Sequence, residues 1–501
     1  MRSVAIELAS VVLVLAMAAC PAADTRGPFG AADAACAAAI CPVVADAAPP
    51  PPRVCDVRDF GAAGDGVTLD TAAIQAAIDA CATTGGVVAL RDGVFLAGTI
   101  VLASDLTLDI APSATLRGSQ RTADYPDVAP PFTNTQLGNC RKALVYAEGA
   151  ARVTIQGGGT LDGNARGVPD WNGNRIKEAL RPMAIFVTAS TDVTIADLTV
   201  KDAATWAVVT MESSRQHLHD LTITTDLGPT HDGIDIVDGD DVLIEDVTVA
   251  SGDDSICLKS GSATGTEDVV VRRSHTTQSG VANGVKFGTA SVGAFRRILV
   301  EDVVIEHAQA AAMAVESVDG AAIHDVTFRR ITTHDVGTPF FVLLGSRDRD
   351  PTRVGSIDGV AFEDITGDAM RYAWGSIVTG TKIGDQTFGI SNISFTDIDL
   401  TFKGAGASPN PTPFTDDNFP EYQGPVPGQP GTYYNQYPDA KFITGVGGRE
   451  DTSYKGPGYG LFLRHATGVS FTTCRMAVDG PDPRPWHDTK DTAAVTGACA
   501  P

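Results

Sequence analysis

One short pattern of alternating apolar residues recurs along most of the chain and restricts the folds that the chain can adopt. Copies of the form V-x-I-x-D-V/I begin at Leu106, Val153, Val193, Val242, Val269, Ile298, Val326, Val360, Ile393 and Val469, with a weaker copy at Gln216–Leu221. The intervals from Val242 to Ile393 are 27, 29, 28, 34 and 33 residues, too irregular for helical repeats or propeller blades. Strands that stay in register while loop lengths vary fit this spacing. The sequence therefore predicts an all-β parallel β-helix of about ten coils.

The start of the solenoid carries a helical pattern. Ile74 and Ile78 lie four residues apart and give one apolar stripe, and Asp70 or Thr71 can cap the helix. An open end of a β-helix exposes core and unpaired strand edges, so a short capping helix is expected there.

The composition agrees with a solenoid rich in tight turns and excludes some partners. Glycine is abundant (52 residues), aromatic residues are scarce (6%), and Val, Ile and Thr recur in short runs. The net charge of −24 argues against nucleic acid, because phosphate binding needs a basic surface. An acidic glycan would need locally placed cations. The cysteine and histidine spacings do not indicate zinc, and the sequence predicts neither a metal nor a cofactor.

The first 20 residues are typical of an export signal. Arg2 precedes the apolar run Leu8–Ala19, which is too short to span a membrane. Leu15–Cys20 looks like a bacterial lipoprotein processing site, so we predict a signal peptide over 1–19 and a lipid on Cys20. Met17 stands where leucine is usual, which leaves an ordinary signal peptide as the alternative. We expect an exported protein, either an outer-membrane or cell-surface lipoprotein or a secreted or periplasmic protein, whose only membrane contact is the anchor.

Composition also divides the rest of the chain. Residues 20–52 are rich in Ala and Pro and are predicted to be a linker, residues 53–485 the β-helix catalytic domain, and residues 486–501 a polar tail. The Tyr-rich insertion 404–460 is either a wall whose tyrosines stack on sugar rings or a side cover without ligand contact.

Export permits disulfides. Cys36–Cys41 and Cys474–Cys499 are sequence-local candidates, and Cys55–Cys81 is a further one. Cys257 is expected to be a small packed residue.

Carboxylates mark the segment Thr230–Gly261. Two short strands of one design, Asp232-Gly-Ile-Asp-Ile and Asp254-Ser-Ile-Cys-Leu, lie 22 residues apart, and Asp253 precedes the second. If 22 residues form one coil, Asp232 and Asp254 lie at inter-strand spacing, roughly 5 Å. Acids this close perturb each other's ionisation, which suits a site where one carboxyl is an acid while another is a base. Turn carboxylates that accept backbone N–H bonds are the structural alternative.

This segment resembles glycoside hydrolase family 28, the polygalacturonases and rhamnogalacturonan hydrolases. That family reads Asn-Thr-Asp-Gly-Ile-Asp and then Gly-Asp-Asp-x-Ile-x-x-Lys-Ser, and here Thr230-His231 stands in place of Asn-Thr. The resemblance implies a right-handed parallel β-helix and inverting hydrolysis. It makes Asp253 the general acid, with Asp232 and Asp254 holding and deprotonating the water.

The sequence also departs from the family in two further motifs. Asn283 stands where the family has the His of Gly-His-Gly, and Asn cannot titrate. Ala314-Val315-Glu316 stands where the family has Arg-Ile-Lys, which grips a uronate carboxylate. Lys286 is then either a relocated cation for an acidic sugar or the partner of Glu316 in an exposed cross-strand pair. We take Asn283, Lys286 and Glu316 as candidate substrate-binding residues.

Other polar residues were assigned by alternation along the strands. Counting the inward residues Ile234, Ile256, Val285 and Val315 places Asp235, Cys257, Lys286 and Glu316 in one outward row.

Four further features complete the site prediction. Lys259 is expected to be a solvated strand-end charge, with a groove cation as the alternative. Trp206 and His231 are expected to be packed residues, and Arg175–Lys177 a coincidental match to Arg-Ile-Lys.

We therefore predict an exported, monomeric, metal-independent β-helix hydrolase. Its substrate would be a plant cell-wall polysaccharide, pectin or a related acidic glycan that contains galacturonic acid. The missing carboxylate clamp favours rhamnogalacturonan, decorated pectin or oligosaccharide ends over plain polygalacturonan. A calcium-dependent polysaccharide lyase and a non-catalytic carbohydrate-binding β-helix are the alternatives.

Overall fold

The computed structural model describes residues 52–128, 141–171, 180–347, 350–407 and 456–501. The predicted signal peptide, the lipid-bearing Cys20, nearly all of the linker 20–52 and the pair Cys36–Cys41 lie outside the described residues. Arg175–Lys177 and most of the insertion 404–460 also lie outside them. Within the described ranges, no helix has the length and apolar character needed to cross a membrane.

Most of the described residues lie in strands, and few lie in helices. In chain order the strands are β1 (Arg53–Asp56), β2 (Asp65–Leu69), β3 (Gly86–Leu90), β4 (Gly93–Ala97), β5 (Ile100–Leu102), β6 (Leu106–Ile110), β7 (Ala114–Gly118), β8 (Ala143–Glu148), β9 (Ala151–Gln156), β10 (Thr160–Asp162), β11 (Met183–Thr188), β12 (Thr191–Lys201), β13 (Val208–Met211), β14 (Ser214–Thr225), β15 (Ile234–Val237), β16 (Asp240–Glu245), β17 (Thr248–Ser251), β18 (Ile256–Ser260), β19 (Thr266–Ser279), β20 (Val285–Ser291), β21 (Phe295–Glu306), β22 (Ala311–Ser317), β23 (Ala322–His334), β24 (Thr338–Leu344), β25 (Ser356–Ala369), β26 (Ser376–Thr379), β27 (Thr381–Ile383), β28 (Gln386–Phe388), β29 (Ile390–Lys403), β30 (Leu461–Thr467), β31 (Ser470–Asp479), β32 (His487–Ala493) and β33 (Cys499–Ala500). One α-helix, α1, spans Thr71–Ala82, and short 3-10 turns lie at Val57–Phe60, Thr122–Asp124, Pro169–Trp171 and Pro351–Arg353.

Apart from the antiparallel pair β27–β28, the strands stack in parallel into the walls of a β-helix, as the repeat predicts, and the β-helix is right-handed, as the family resemblance implies. One wall, here called the site sheet, consists of β5, β8, β11, β13, β15, β18, β20, β22, β24, β26, β30 and β32. A second wall runs from β1 through β12, β19 and β29 to β33. A third wall begins at β2 and β4 and continues in the C-terminal halves of the long strands. Twelve stacked strands in the site sheet correspond to about a dozen turns, close to the ten predicted.

The repeated pattern identified in the sequence sets the register of the second wall. Successive copies pair at their first residues, as in Val242 with Val269 and Ile298 with Val326. The apolar members point inward, where the rings of Phe328, Phe362, Phe395 and Phe471 stack with neighbouring centroids 5.2–5.3 Å apart. Burial of these aligned apolar rows, roughly 25 cal/mol per Å², is the main stabilising term of the solenoid.

The fifth residue of each copy forms a bend between two walls. Asp246, Arg273, Asp302 and Arg330 occupy this position with φ of 47–54°. Aspartate tolerates this left-handed conformation better than most residues, which explains its recurrence in the pattern. Arg273 and Arg330 form ion pairs with Asp246 and Asp302 on the preceding turn, at 2.7 Å each. Because solvent screens such exposed pairs, they contribute little to the stability of the fold.

Helix α1 covers the first turn as predicted, but its cap differs from the prediction. The helix buries Ile74 and Ile78 against the core. Asp70 occupies the N-cap position, yet its carboxylate accepts hydrogen bonds from the N–H groups of Ala63 and Gly64. The side chain therefore fixes the preceding loop instead of the first turn of the helix.

Strands continue through the segment that the sequence predicts to be a tail. β32 pairs with β30, and β33 pairs with β31. Disulfides Cys474–Cys499 and Cys55–Cys81 close the last and first turns, and the sequence proposed both pairings. Cys257 is unbonded to another cysteine and buried, as expected of a packed residue.

Candidate active site

Neighbouring turns of the site sheet bring the predicted acids together. Ile234 of β15 pairs with Ile256 of β18, so Asp232 and Asp254 stand at equivalent positions just before the two strands. One oxygen from each carboxylate and the Cys257 sulfur all lie within 4.8 Å of one another. The 22-residue spacing therefore corresponds to one coil, as the sequence indicates.

Asp253 differs from the other two acids in its exposure. Asp232 and Asp254 are each 3% exposed, whereas Asp253 is half-buried. Its Oδ2 accepts a hydrogen bond from the Thr230 N–H at 2.7 Å, and its Oδ1 accepts one from the Asp254 N–H at 3.2 Å. Two backbone donors thus orient the one carboxyl of the three that solvent or a ligand can reach.

Asn283 fixes Asp254. Asp254 Oδ1 accepts hydrogen bonds from Asn283 Nδ2 at 2.8 Å and from the Asn283 backbone N–H at 3.1 Å. The Asn283 side-chain oxygen accepts from the Ala311 N–H at 3.0 Å. The amide thereby links three successive turns. Unlike the imidazole of a histidine, the amide does not titrate, so the asparagine at this position provides a fixed donor to Asp254.

Lys259 is not the solvated charge expected from the sequence. Its side chain is 5% exposed, and Nζ lies 3.1 Å from Asp232 Oδ2 and 2.5 Å from Asp235 Oδ1. The ammonium also lies 4.5 Å from the centroid of the Trp206 ring, a cation–π contact. Lys259 shares the outward parity of Cys257 on β18, and that alternation is the signal that could have placed it inside the cluster.

The prediction that Lys286 and Glu316 stand in the same row is wrong, because the register differs by two residues. Lys286 pairs with Ala314, and Phe287 pairs with Val315, so Glu316 lies against Gly288. The sequence-based count had set Val315 opposite Val285, although Asp235, Cys257 and Lys286 do share one row.

The predicted exposure of this pair is also wrong, because Glu316 is fully buried and the Lys286 side chain is only 6% exposed. Lys286 Nζ lies 3.2 Å from Asp254 Oδ2 and 4.0 Å from Glu316 Oε1. The long lysine side chain reaches across the pleat, so Lys286 bridges two buried carboxylates.

Burial and mutual repulsion shift the ionisation of the cluster. Burial, followed by the charge of Asp235, raises the pKa of Asp232 well above its usual range, and Lys259 opposes this rise. Burial likewise raises the pKa of Asp235 to about 6 against the opposing effect of Lys259. Burial acts to lower the pKa of Lys259, but the surrounding negative charges, Asp235 first among them, raise it well above its usual range, so this lysine stays charged.

Burial also lowers the pKa of His231 to about 4, so this histidine is neutral near pH 7. Its Nδ1–H lies 3.0 Å from the carbonyl oxygen of Gly228, as expected of a packed neighbour.

The cluster already carries its own cations. Asp232, Asp254 and Cys257 would be suitable in spacing for a metal ion, but the ammonium groups of Lys259 and Lys286 contact the two carboxylates. We assign no metal to these residues.

A parallel β-helix with three aspartates grouped on one outer wall defines a candidate acid/base site of the glycoside hydrolase type. The sequence comparison agrees. Residues 87–410 match the family described as glycosyl hydrolases family 28. Residues 54–112 also match the description rhamnogalacturonase A/epimerase, pectate lyase-like. The chain belongs to glycosyl hydrolase family 28 and is an O-glycosyl hydrolase.

Individual relatives support this assignment. A probable polygalacturonase of Vitis vinifera is 27% identical over 400 residues, which cover 72% of this chain and 80% of the relative. An exo-poly-alpha-D-galacturonosidase of Dickeya chrysanthemi is 28% identical over 256 residues, 42% of each chain.

The structure of a family 28 exopolygalacturonase of Yersinia enterocolitica superposes with a TM-score of 0.67 at 17% identity. The match covers 90% of this chain and 79% of that one. The polygalacturonase of Erwinia carotovora ssp. carotovora gives a TM-score of 0.59 at 17% identity, over 70% of this chain and 94% of that one. At these identities the structural matches show the shared fold.

Proposed function

We propose that the protein hydrolyses glycosidic bonds in a pectic, galacturonic-acid-containing polysaccharide or oligosaccharide, with inversion at the anomeric carbon. The observation that carries this proposal is the grouping of Asp232, Asp254 and the half-exposed Asp253 on adjacent turns. The names of the relatives from Vitis and Dickeya support the substrate class.

The acid and the base take different positions in the site. Asp253 is the accessible carboxyl, and in its protonated form it donates a proton to the glycosidic oxygen as the C–O bond breaks. A water held by Asp232 and Asp254 attacks the anomeric carbon from the other face and gives its proton to one of these carboxylates. The donor hydrogen bonds from Asn283 and Lys286 favour the ionised form of Asp254.

The charges around the acids favour a sugar that needs no carboxylate clamp at Glu316. Both buried lysines of the cluster are engaged by carboxylates of the protein itself. The position where the family has a clamp Lys is a fully buried Glu316 here, so this position offers no cation to a uronate carboxylate. We therefore favour rhamnogalacturonan, decorated pectin or chain ends over the interior of plain polygalacturonan.

A screen for released reducing ends tests this function. We expect activity on at least one of polygalacturonan, rhamnogalacturonan and xylogalacturonan, with the newly formed product anomer inverted when it is followed by proton NMR. Activity should persist in EDTA. A retained anomer, an unsaturated ultraviolet-absorbing product, or no cleavage of any of these glycans would contradict the proposal; the second result would indicate a lyase, and the third a binding protein.

We also propose that the protein is exported and anchored by a lipid on Cys20, and that it acts as a monomer. The support for export and lipidation is the apolar run Leu8–Ala19 together with the processing site Leu15–Cys20. In a bacterial host, labelled palmitate should be incorporated into the wild-type chain and lost in Cys20→Ala, while Cys36→Ala retains the label. Equal labelling of wild type and Cys20→Ala would exclude lipidation at Cys20.

A further inference from the structure

One buried cation in the cluster has no part in the acid/base steps described above. The Lys259 side chain is 5% exposed, although an isolated lysine charge is costly to remove from water. Three groups surround it: Asp232 at 3.1 Å, Asp235 at 2.5 Å, and the face of Trp206 at 4.5 Å from its centroid. The ammonium thus occupies a closed position between Asp232 and a second carboxylate.

The position of Asp235 explains why the lysine stays there. Asp235 is fully buried on β15, and its Oδ1 is the nearest acceptor to Nζ. Its side chain is fully buried, so a substrate has no direct access to it. Asp235 therefore fixes the ammonium, and Trp206 covers the ammonium on another side and keeps water away.

Several charged or titratable groups act on Asp232 from the surrounding elements. They are Asp235 on β15, Lys259 and Cys257 on β18, and Asp253 and Asp254 in the turn before β18. His231 directly precedes Asp232 in the chain, and Lys286 on β20 acts through its contact with Asp254. Among these, Lys259 is the cation in direct contact with the carboxylate. Its removal should affect the ionisation of Asp232 more than any other single change that removes a positive charge.

We propose that Asp232 is the base and that Lys259 is a positioning residue for hydrolysis, which favours the ionised form of the Asp232 carboxylate and directs it at the water, while Asp235 and Trp206 fix the lysine. This inference rests on the proposed function. It predicts how the acid limb of the pH–rate profile depends on two residues that do not touch the sugar. Loss of Lys259 makes ionisation of Asp232 harder, whereas loss of the Asp235 charge makes it easier.

The signs of the expected shifts are opposite. In Lys259→Met the pKa of Asp232 should rise, because the opposing cation is gone while burial and Asp235 remain. The acid limb of kcat/KM should move to higher pH by at least about one unit. In Asp235→Asn a like charge is lost and an oxygen that can accept from Lys259 is kept, so the acid limb should move to lower pH. Lys259→Arg should restore part of the wild-type profile.

The experiment measures pH profiles of wild type, these three variants and the control Lys403→Met on the best glycan from the substrate screen. Lys403 is an exposed lysine on β29 and should leave the profile unchanged. Circular dichroism checks that each variant is folded. Asp235→Asn provides a test of the same contact if Lys259→Met does not fold.

Two outcomes separate the failure of this inference from failure of the proposed function. Wild-type activity with acid limbs that stay in place in Lys259→Met and Asp235→Asn would overturn the role of Lys259. The role of Lys259 would also be overturned if the acid limbs of these two variants moved in the same direction. A wild-type protein that cleaves no glycan would overturn the hydrolase assignment first.

Discussion

Asp253→Asn should lose between about 10²- and 10⁴-fold in kcat and keep its affinity for the oligosaccharide. Asparagine preserves the shape of the side chain, and its single oxygen can accept one of the two N–H hydrogen bonds, preferably the shorter one from Thr230. It cannot transfer a proton to the departing glycosidic oxygen. Binding should persist, since the variant changes no contact of Asp232 or Asp254 with the lysines. Initial rates and isothermal titration with a non-cleaved oligosaccharide measure the two effects separately.

Asp241→Asn is the matched control for Asp253→Asn. Asp241 is exposed on β16 and has a φ of 52°, a left-handed conformation that asparagine also adopts readily. We expect wild-type kcat and stability in this variant. If Asp253→Asn kept full kcat, Asp253 would be one of the turn carboxylates that only accept backbone hydrogen bonds, and the general acid would have to be sought elsewhere.

The fold was predictable because its determinants repeat along the chain. Each copy of the pattern places apolar residues on one side of a strand, and the register pairs copy with copy, as Val242 with Val269. The same logic placed Asp232 beside Asp254, since 22 residues separate both the two acids and the paired residues Ile234 and Ile256. Repetition lets a local pattern specify a long-range contact.

Positions beyond the acids were less predictable because loop lengths vary. From β20 to β22 the partner of Val285 is Met313, and a count that begins from Val315 slips the row by two residues. Such a slip keeps the inward and outward faces and shifts contacts along the strand, so alternation alone does not reveal it.

Burial of charge was the other property that the sequence did not reveal. A Lys in a strand end is ordinarily solvated, and only the three-dimensional neighbours of Lys259 and Lys286 show that each bridges carboxylates. Of the polar residues in the cluster, the lysines were the hardest to assign for this reason. Their acidic partners come from different turns, at sequence separations that vary with the intervening loops.

Lys286→Met should destabilise the fold by about 3–5 kcal/mol, the usual cost of removing one partner of a buried ion pair. Lys286 Nζ lies 3.2 Å from Asp254 and 4.0 Å from Glu316, and both carboxylates are buried. Methionine fills a similar volume but leaves two buried acids without this cation. Urea denaturation at neutral pH measures the free energy of unfolding. The difference in unfolding free energy between wild type and Lys286→Met should become smaller at lower pH, because a protonated carboxyl needs no counter-charge.

The double variant Lys286→Met/Glu316→Gln distinguishes a structural ion pair from a cation that binds substrate. If the lysine mainly neutralises buried acids, the double variant should recover part of the stability, since one lone carboxylate is removed with the cation. Glu316→Gln alone should cost less, because Asp254 keeps its contact with Lys286. The exposed control Lys403→Met should stay within about 0.5 kcal/mol of wild type. If Lys286→Met kept its stability and instead raised KM only for acidic glycans, Lys286 would be a ligand for the sugar carboxylate, and the charge argument against plain polygalacturonan would fail.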